Sequence, residues 1–146
     1  MITKPTKRNV KEIIQKLAKQ YRVRVYFTKN LKSRGLARYW RRSISICAEQ
    51  SATEMISTFF HELGHIYCYD NGLWLNYHNE TPAIKMSERE KQLLYRTAVK
   101  AERWIDKWAE IEMLKHFPEI KYYTTYKDKE VVKDFIKSIK EELCID

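Results

Sequence analysis

SATEMISTFFHELGHIYCYDNG, residues 51–72, is the stretch that decides how this chain folds. Ser51 and Glu54 stand at the S-x-x-E spacing of a capping box, and Asn71-Gly72 supplies a left-handed stop, so a helix is predicted over 52–70. Its middle is His61-Glu62-Leu63-Gly64-His65, a complete H-E-x-x-H. Two imidazoles four residues apart lie on one helix face with Cβ atoms about 5–6 Å apart. Both rings can then reach one Zn2+ through bonds of about 2.0–2.1 Å. Glu62 projects from a neighbouring face, where it can take a proton from water at the metal without ligating the metal itself. Gly64 costs this helix about 1 kcal/mol relative to Ala. That cost points to close approach by another backbone, and the strand carrying Ile44 and Ile46 is the expected neighbour. A chance match to the motif arises in roughly 1% of sequences with this His and Glu content, so the surroundings must carry the argument.

Upstream, residues 6–20 read as a first helix, with Thr6 as N-cap and Val10, Ile13, Ile14 and Leu17 at helical spacing. Residues 22–27 alternate charged and apolar side chains, as a half-buried strand does. Asn30 to Gly35 is turn-like, and strands are predicted over 36–41 and 43–48, or one long bent strand in their place. Downstream, residues 73–86 read as a loop. Ser87 and Glu90 form a second capping box that opens a long helix ending before Pro118, and a last helix is predicted over 127–143. The fold class expected is α+β: a short sheet of two or three strands packed on the motif helix, a long second helix and a C-terminal helix, in one domain over 1–146.

Composition narrows the function classes. An apolar content of 44% with only three Gly and three Pro fits a compact globular protein. No segment approaches the roughly 20 apolar residues of a membrane span, so no membrane partner is expected. Cys47, Cys68 and Cys144 are odd in number and lack a C-x-x-C pair, which favours a reducing, cytoplasmic compartment over a disulfide framework. Charge is uneven. Residues 1–50 hold 14 Lys and Arg against Glu12 and Glu49, a net +12, whereas residues 51–146 hold 14 against 17 acids, a net −3. Such a basic third can face nucleic acid or an acidic partner, or can serve only as a solvated surface.

A catalytic Zn2+ takes three protein ligands and keeps one position open, so a third ligand is sought outside the motif. Glu102, with Asp106 one turn later, offers an E-x-x-x-D on the long helix. The glutamate can ligate, and the aspartate can accept the free ring N–H of a ligating histidine. The same spacing recurs at Glu130/Asp134, set among Lys127, Lys133 and Lys137, and at Glu142/Asp146 beside the C-terminus. Glu102 alone of the three has Ala98, Val99, Ile105 and Ala109 around it, an apolar face on which a carboxylate needs a strong partner. His78 is a rival third ligand, or a residue that binds substrate or stabilises an oxyanion. Cys68 shares the face of His61 and His65, so a structural His2Cys site or a small buried thiol are both open. Tyr77 and Tyr95 can donate a proton to an oxyanion but stand out from the other tyrosines in nothing, and His116 is a favourable charge at a helix end.

With these residues in view, the chain resembles a gluzincin, and more narrowly the ImmA/IrrE-like family of bacteria and their mobile elements, phages included. His61, Glu62 and His65 match that family's first motif, and Glu102, Asp106 and Ala109 match its second, E-x-x-A-[ND]-x-F-A. Trp108 stands where the family has Phe and Ile105 where it has Ala, and Met113-Leu114-Lys115 only echoes the usual Leu-Met-Pro. The resemblance covers about residues 43–113. It implies a zinc-dependent endopeptidase, with His61, His65 and Glu102 on the metal and Glu62 as general base, that cleaves a protein substrate such as a DNA-binding transcriptional repressor. A DNA-bound target gives the basic residues 1–50 a purpose. Two other readings remain open at this point: a SprT-like protease acting on DNA-bound proteins with His78 as third ligand, and a non-catalytic DNA-binding or regulatory module.

Overall fold

The computed structural model describes residues 4–74, 78, 86–123 and 137. Helix α1 is Val10–Tyr21. Thr6 marks its approach rather than its first turn: Thr6 N–H donates to Asn9 Oδ1 (2.6 Å) and Asn9 N–H to Thr6 Oγ1 (3.3 Å), closing a turn before Val10. Arg22, placed by its alternation in the first strand, is instead the left-handed C-cap of α1, with φ 57°. Strand β1 therefore begins later, at Arg24–Thr28.

Two further strands follow, β2 (Gly35–Arg38) and β3 (Ser43–Cys47). They are separate and antiparallel, so the single bent strand is excluded. A 3-10 turn, Tyr39–Arg41, and a left-handed Arg42 (φ 49°) reverse the chain between them. The sheet order is β1-β3-β2, with β3 parallel to β1 and Val25 beside Ile44. All five β3 residues are buried, as expected of a strand with neighbours on both sides. Residues 43–48 therefore present no open edge to an extended substrate, and the strand edge beside the motif helix belongs to β2. Arg42 locks the layers: its guanidinium donates to the carbonyls of Tyr21 and Arg22 (both 3.0 Å) and pairs with Asp70. Those carbonyls end α1 and would otherwise lack partners.

Helix α2 is Ala52–Asp70, opened by the predicted capping box with Glu54 N–H on Ser51 Oγ (3.2 Å). Its apolar side chains Ile56, Phe59, Phe60 and Leu63 join Ile44 and Ile46 from β3 and Val10, Ile14 and Leu17 from α1 in one core. Gln50, buried where β3 meets α2, donates to the carbonyls of Arg34 and Cys47 and accepts from the Thr58 hydroxyl. One side chain thus pins both strand ends to the helix.

Helix α3 is Glu88–His116, with Ser87 as N-cap. Here the second capping box is half-formed. Glu90 N–H reaches Ser87 Oγ, but the Glu90 carboxylate accepts from the Ser87 hydroxyl instead of from backbone. Its buried stripe is Ala98, Ala101, Glu102, Ile105, Asp106, Ala109 and Met113, a run of steps of one, three or four residues that keeps to one face; none of residues 88–97 is fully buried. The stripe faces α2, and it explains Gly64. A Cβ there would stand 2.8 Å from Ile105 Cγ2 and 3.2 Å from Trp108 Cε3, so the close neighbour is α3 and not the strand with Ile44 and Ile46. Among the described residues no helix is long and apolar enough to cross a membrane. The α+β architecture, with three α-helices and a mixed three-stranded sheet among the described residues, matches the expectation. The helix expected over 127–143, and most of the loop expected over 73–86, fall outside the described residues.

Gly35 makes a second close contact, where β2 crosses α2. A Cβ there would lie 2.5 Å from Thr58 Cγ2, 2.9 Å from Glu62 Cγ and 3.2 Å from the Ser45 carbonyl oxygen. Gly35→Ala is expected to lower the unfolding free energy by about 1–3 kcal/mol, the usual cost of overpacking, as read by urea denaturation. Unchanged stability would mean that the strand is free to shift.

Candidate metal centre

Helix α2 carries His61, Glu62 and His65 in its rigid middle, and α3 brings Glu102 and Asp106 to them from the opposite side. His61 Nε2 lies 2.9 Å from Glu102 Oε2, and His65 Nε2 lies 3.0 Å from Glu102 Oε1, so one carboxylate spans both imidazoles. One donor atom from each residue lies within 4.8 Å of the others, and among the described residues this is the group able to hold a metal ion. Glu102 and His65 are buried and His61 is half-buried.

The rear nitrogens of both rings are occupied. His61 Nδ1 faces Asp106 Oδ1 at 3.3 Å, and the Tyr122 hydroxyl donates to the same carboxylate oxygen. His65 Nδ1 faces His78 Nε2 at 3.1 Å, and His78 Nδ1 faces the Trp74 carbonyl oxygen at 3.1 Å. A carbonyl only accepts, so His78 carries its proton on Nδ1 and offers a lone pair at Nε2. His65 must then donate from Nδ1, which leaves its Nε2 lone pair aimed at a carboxylate oxygen. His61 faces carboxylates at both nitrogens, though a neutral imidazole has one N–H. Acceptor set against acceptor at 3.0 Å requires a positive charge between them, and two imidazoles plus one carboxylate are a donor set that suits a divalent transition metal.

The electrostatics agree. Burial lowers the His61 pKa, but the charge of Glu102, hydrogen bonds to Asp106 and Glu102, and the charge of Glu62 raise it well above the usual imidazole range. Glu102 is the converse: burial raises its pKa, and the two imidazoles pull it well below the ordinary carboxylate range. Burial pushes the Glu62 carboxyl up and Glu102 adds to this, against opposing pulls from His65, His61 and the Ala37 backbone N–H. Burial and the charge of Asp106 keep the Tyr122 hydroxyl protonated and donating. Burial and the neighbouring His65 lower the pKa of His78.

The structure thus gathers His61, Glu62, His65, Glu102 and Asp106. His78 stands behind His65, with Nε2 on His65 Nδ1 and Nδ1 on the Trp74 carbonyl, and is not in the donor group. Cys68 is buried and not in the donor group; burial and then the charge of Glu102 push its thiol up to about 12. Glu130, Asp134, Glu142, Asp146 and Tyr77 lie outside the described residues, Tyr95 sits on the outer part of α3, and His116 bonds the Tyr21 hydroxyl at 2.7 Å. Sequence reasoning missed Tyr122 and the Ala37 N–H. Neither carries a local signal, because each reaches the site through a distant return of the chain.

A family model described as the IrrE N-terminal-like domain, peptidase M78, matches residues 14–143, well beyond the 43–113 carried by the two motifs. No curated protein and no solved structure gives a significant match.

Groups that orient metal-facing histidines typically contribute 10–100-fold in metal affinity. Asp106→Asn, which removes charge while keeping shape, and His78→Leu, which removes the acceptor His78 offers to His65, are each expected to weaken divalent-metal binding by about that factor. Competition against a chromophoric chelator measures it, and unchanged affinity in both would reduce the two residues to packing.

Proposed function

The chain belongs to the IrrE N-terminal-like peptidase family, and from that premise we propose that it is a zinc-dependent endopeptidase acting on a protein substrate. One observation carries the reading: two imidazole Nε2 atoms converge on the two oxygens of a single buried carboxylate, with Glu62 beside them. His61, His65 and Glu102 would hold Zn2+, and Asp106 and His78 would fix the ring tautomers. Zinc in that set supplies Lewis-acid chemistry, acidifying water and polarising a carbonyl.

Glu62 is the general base. It takes a proton from the attacking water as the new C–O bond forms at the scissile carbonyl, and it passes that proton to the amide nitrogen as the C–N bond breaks. A carboxyl raised by burial is a better base than an exposed one, and the Ala37 N–H holds it in place. That contact also puts the outer edge of β2, which pairs with no further strand among the described residues, alongside Glu62. An extended substrate segment can therefore add to β2 as a fourth strand, with main-chain hydrogen bonds setting its depth.

The target we favour is a DNA-binding repressor engaged while on DNA. Support comes from the outer face of the sheet. Arg24, Ser43 and Arg38 form one row across the three strands, and Tyr26, Ser45 and Leu36 form the next. Arg24 and Tyr26 are exposed, and no strand residue is acidic. This basic face suits a polyanion beside the substrate.

Glu62→Gln is expected to cut hydrolysis by at least about 100-fold while zinc content, read by mass spectrometry, stays at the wild-type level. Retained activity would refute the base. Association with a DNA-bound target is expected to weaken steeply as salt rises, measured by fluorescence anisotropy on the labelled complex. A salt-independent affinity would remove the nucleic-acid part of the reading.

A further inference from the structure

Exposed apolar side chains are ordinary when scattered, as Leu93, Ile111 and Leu114 are along α3. Tyr39, Trp40 and Tyr69 are not scattered. Tyr39 sets its ring 4.9 Å from His78 and 6.0 Å from His65, centroid to centroid, so it abuts the candidate centre directly. It stacks on Tyr69 at 5.8 Å with planes 26° apart, and Trp40 packs edge-on against it at 6.1 Å. Tyr39 is half-buried, whereas Trp40 is 54% and Tyr69 44% exposed. The inner ring is fixed and the outer two offer open faces.

Their position relative to β2 gives them a use. Tyr39 follows the last residue of β2, and Ala37, two positions back, is the residue whose N–H holds Glu62. A strand advances about 3.3 Å per residue, so the aromatic surface begins about 7 Å along the edge from the point opposite Glu62. A segment paired with β2 would carry a side chain to that surface about two residues from the bond beside Glu62. Aromatic faces left open next to a reactive centre are apolar area available to a partner, and a flat stacked surface of this kind suits a ring or a branched aliphatic chain.

We propose that Tyr39, Trp40 and Tyr69 form a specificity wall that selects substrate segments bearing an aromatic or large aliphatic side chain about two residues from the cleaved bond. The proposal rests on the peptidase reading above and deepens it. Tyr39 is the positioning residue, wedged between His78 and Tyr69, while Trp40 and Tyr69 touch the selected side chain. The wall acts through recognition and leaves proton transfer to Glu62.

The test uses the zinc-loaded protein and a library of extended peptides varied among Ala, Leu, Phe and Trp at each position, with cleavage sites read by mass spectrometry. The same peptides are titrated against Glu62→Gln for binding without turnover. At one position near the cut, Phe, Trp and Leu are expected to exceed Ala in kcat/KM by about tenfold or more, and to bind Glu62→Gln in the same order. Trp40→Ala and Tyr69→Ala should bring that ratio toward one. Cleavage without side-chain preference, or a preference unchanged in both variants, overturns the wall and leaves the peptidase reading standing. Ranked binding to Glu62→Gln without cleavage by the wild type overturns the peptidase reading and, with it, the wall as a selector of cleaved segments, leaving the three rings as a peptide-binding surface. If no peptide is bound or cut, both fall.

Discussion

At Gly64 the backbone of α2 comes so near Ile105 and Trp108 of α3 that a single methyl group would collide, and this approach sets where Glu102 can be. Glu102 lies three residues before Ile105 on the same stripe, so the contact that seats Ile105 on α2 also delivers the carboxylate to His61 and His65. Packing and site geometry are therefore one event. Tyr67, stacked on Trp108 at 4.9 Å, broadens the same contact one turn further along α2. The roughly 1 kcal/mol that glycine costs inside a helix is small beside what Ile105 contributes when fully buried.

Two chains of hydrogen bonds run outward from the imidazoles. One goes from His61 to Asp106 and Tyr122, the other from His65 to His78 and the Trp74 carbonyl. Each chain ends on a group whose donor or acceptor character is not in doubt, a protonated phenol in one case and a backbone carbonyl in the other. The neighbours dictate the tautomer: the Asp106 carboxylate and the unprotonated Nε2 of His78 both accept, so each ring donates from Nδ1 and the lone pair left on Nε2 points at Glu102. Buried polar networks of this kind are costly when incomplete, so each member constrains the next.

The parts of this arrangement that could be read from sequence are those with a local period. The motif helix has a capping box and a stop, and α3 shows its buried stripe through Ala98, Ile105 and Ala109. Glu102 and Asp106 stand out because they interrupt that stripe, whereas carboxylates set among lysines look solvated. What escaped is non-local. The order β1-β3-β2 depends on a reversal at Arg42, a residue type with no special preference for a left-handed backbone. Gly35 reads as a turn glycine, although its small size is needed where a strand crosses a helix. Tyr122 is one of ten tyrosines, and only the fold brings it to Asp106. His78 was visible as a histidine near the motif, yet nothing along the chain distinguishes a metal-facing ring from one that supports it.

Helix α3 has two mechanical halves. From Ala98 onward it is clamped by its buried stripe, whereas over the roughly 15 Å of helix before it Lys91, Leu94, Tyr95 and Thr97 are only half-buried and the other residues of 88–97 are exposed. Its near end holds the carboxylate in register; its far end begins at the Ser87 cap and is the less buried half. Fraying at that tip can proceed turn by turn without loosening Glu102, because the first anchored residue lies one turn before it. The outer amides should exchange with solvent long before those beside the imidazoles, so this one rod combines a yielding end with an unyielding one.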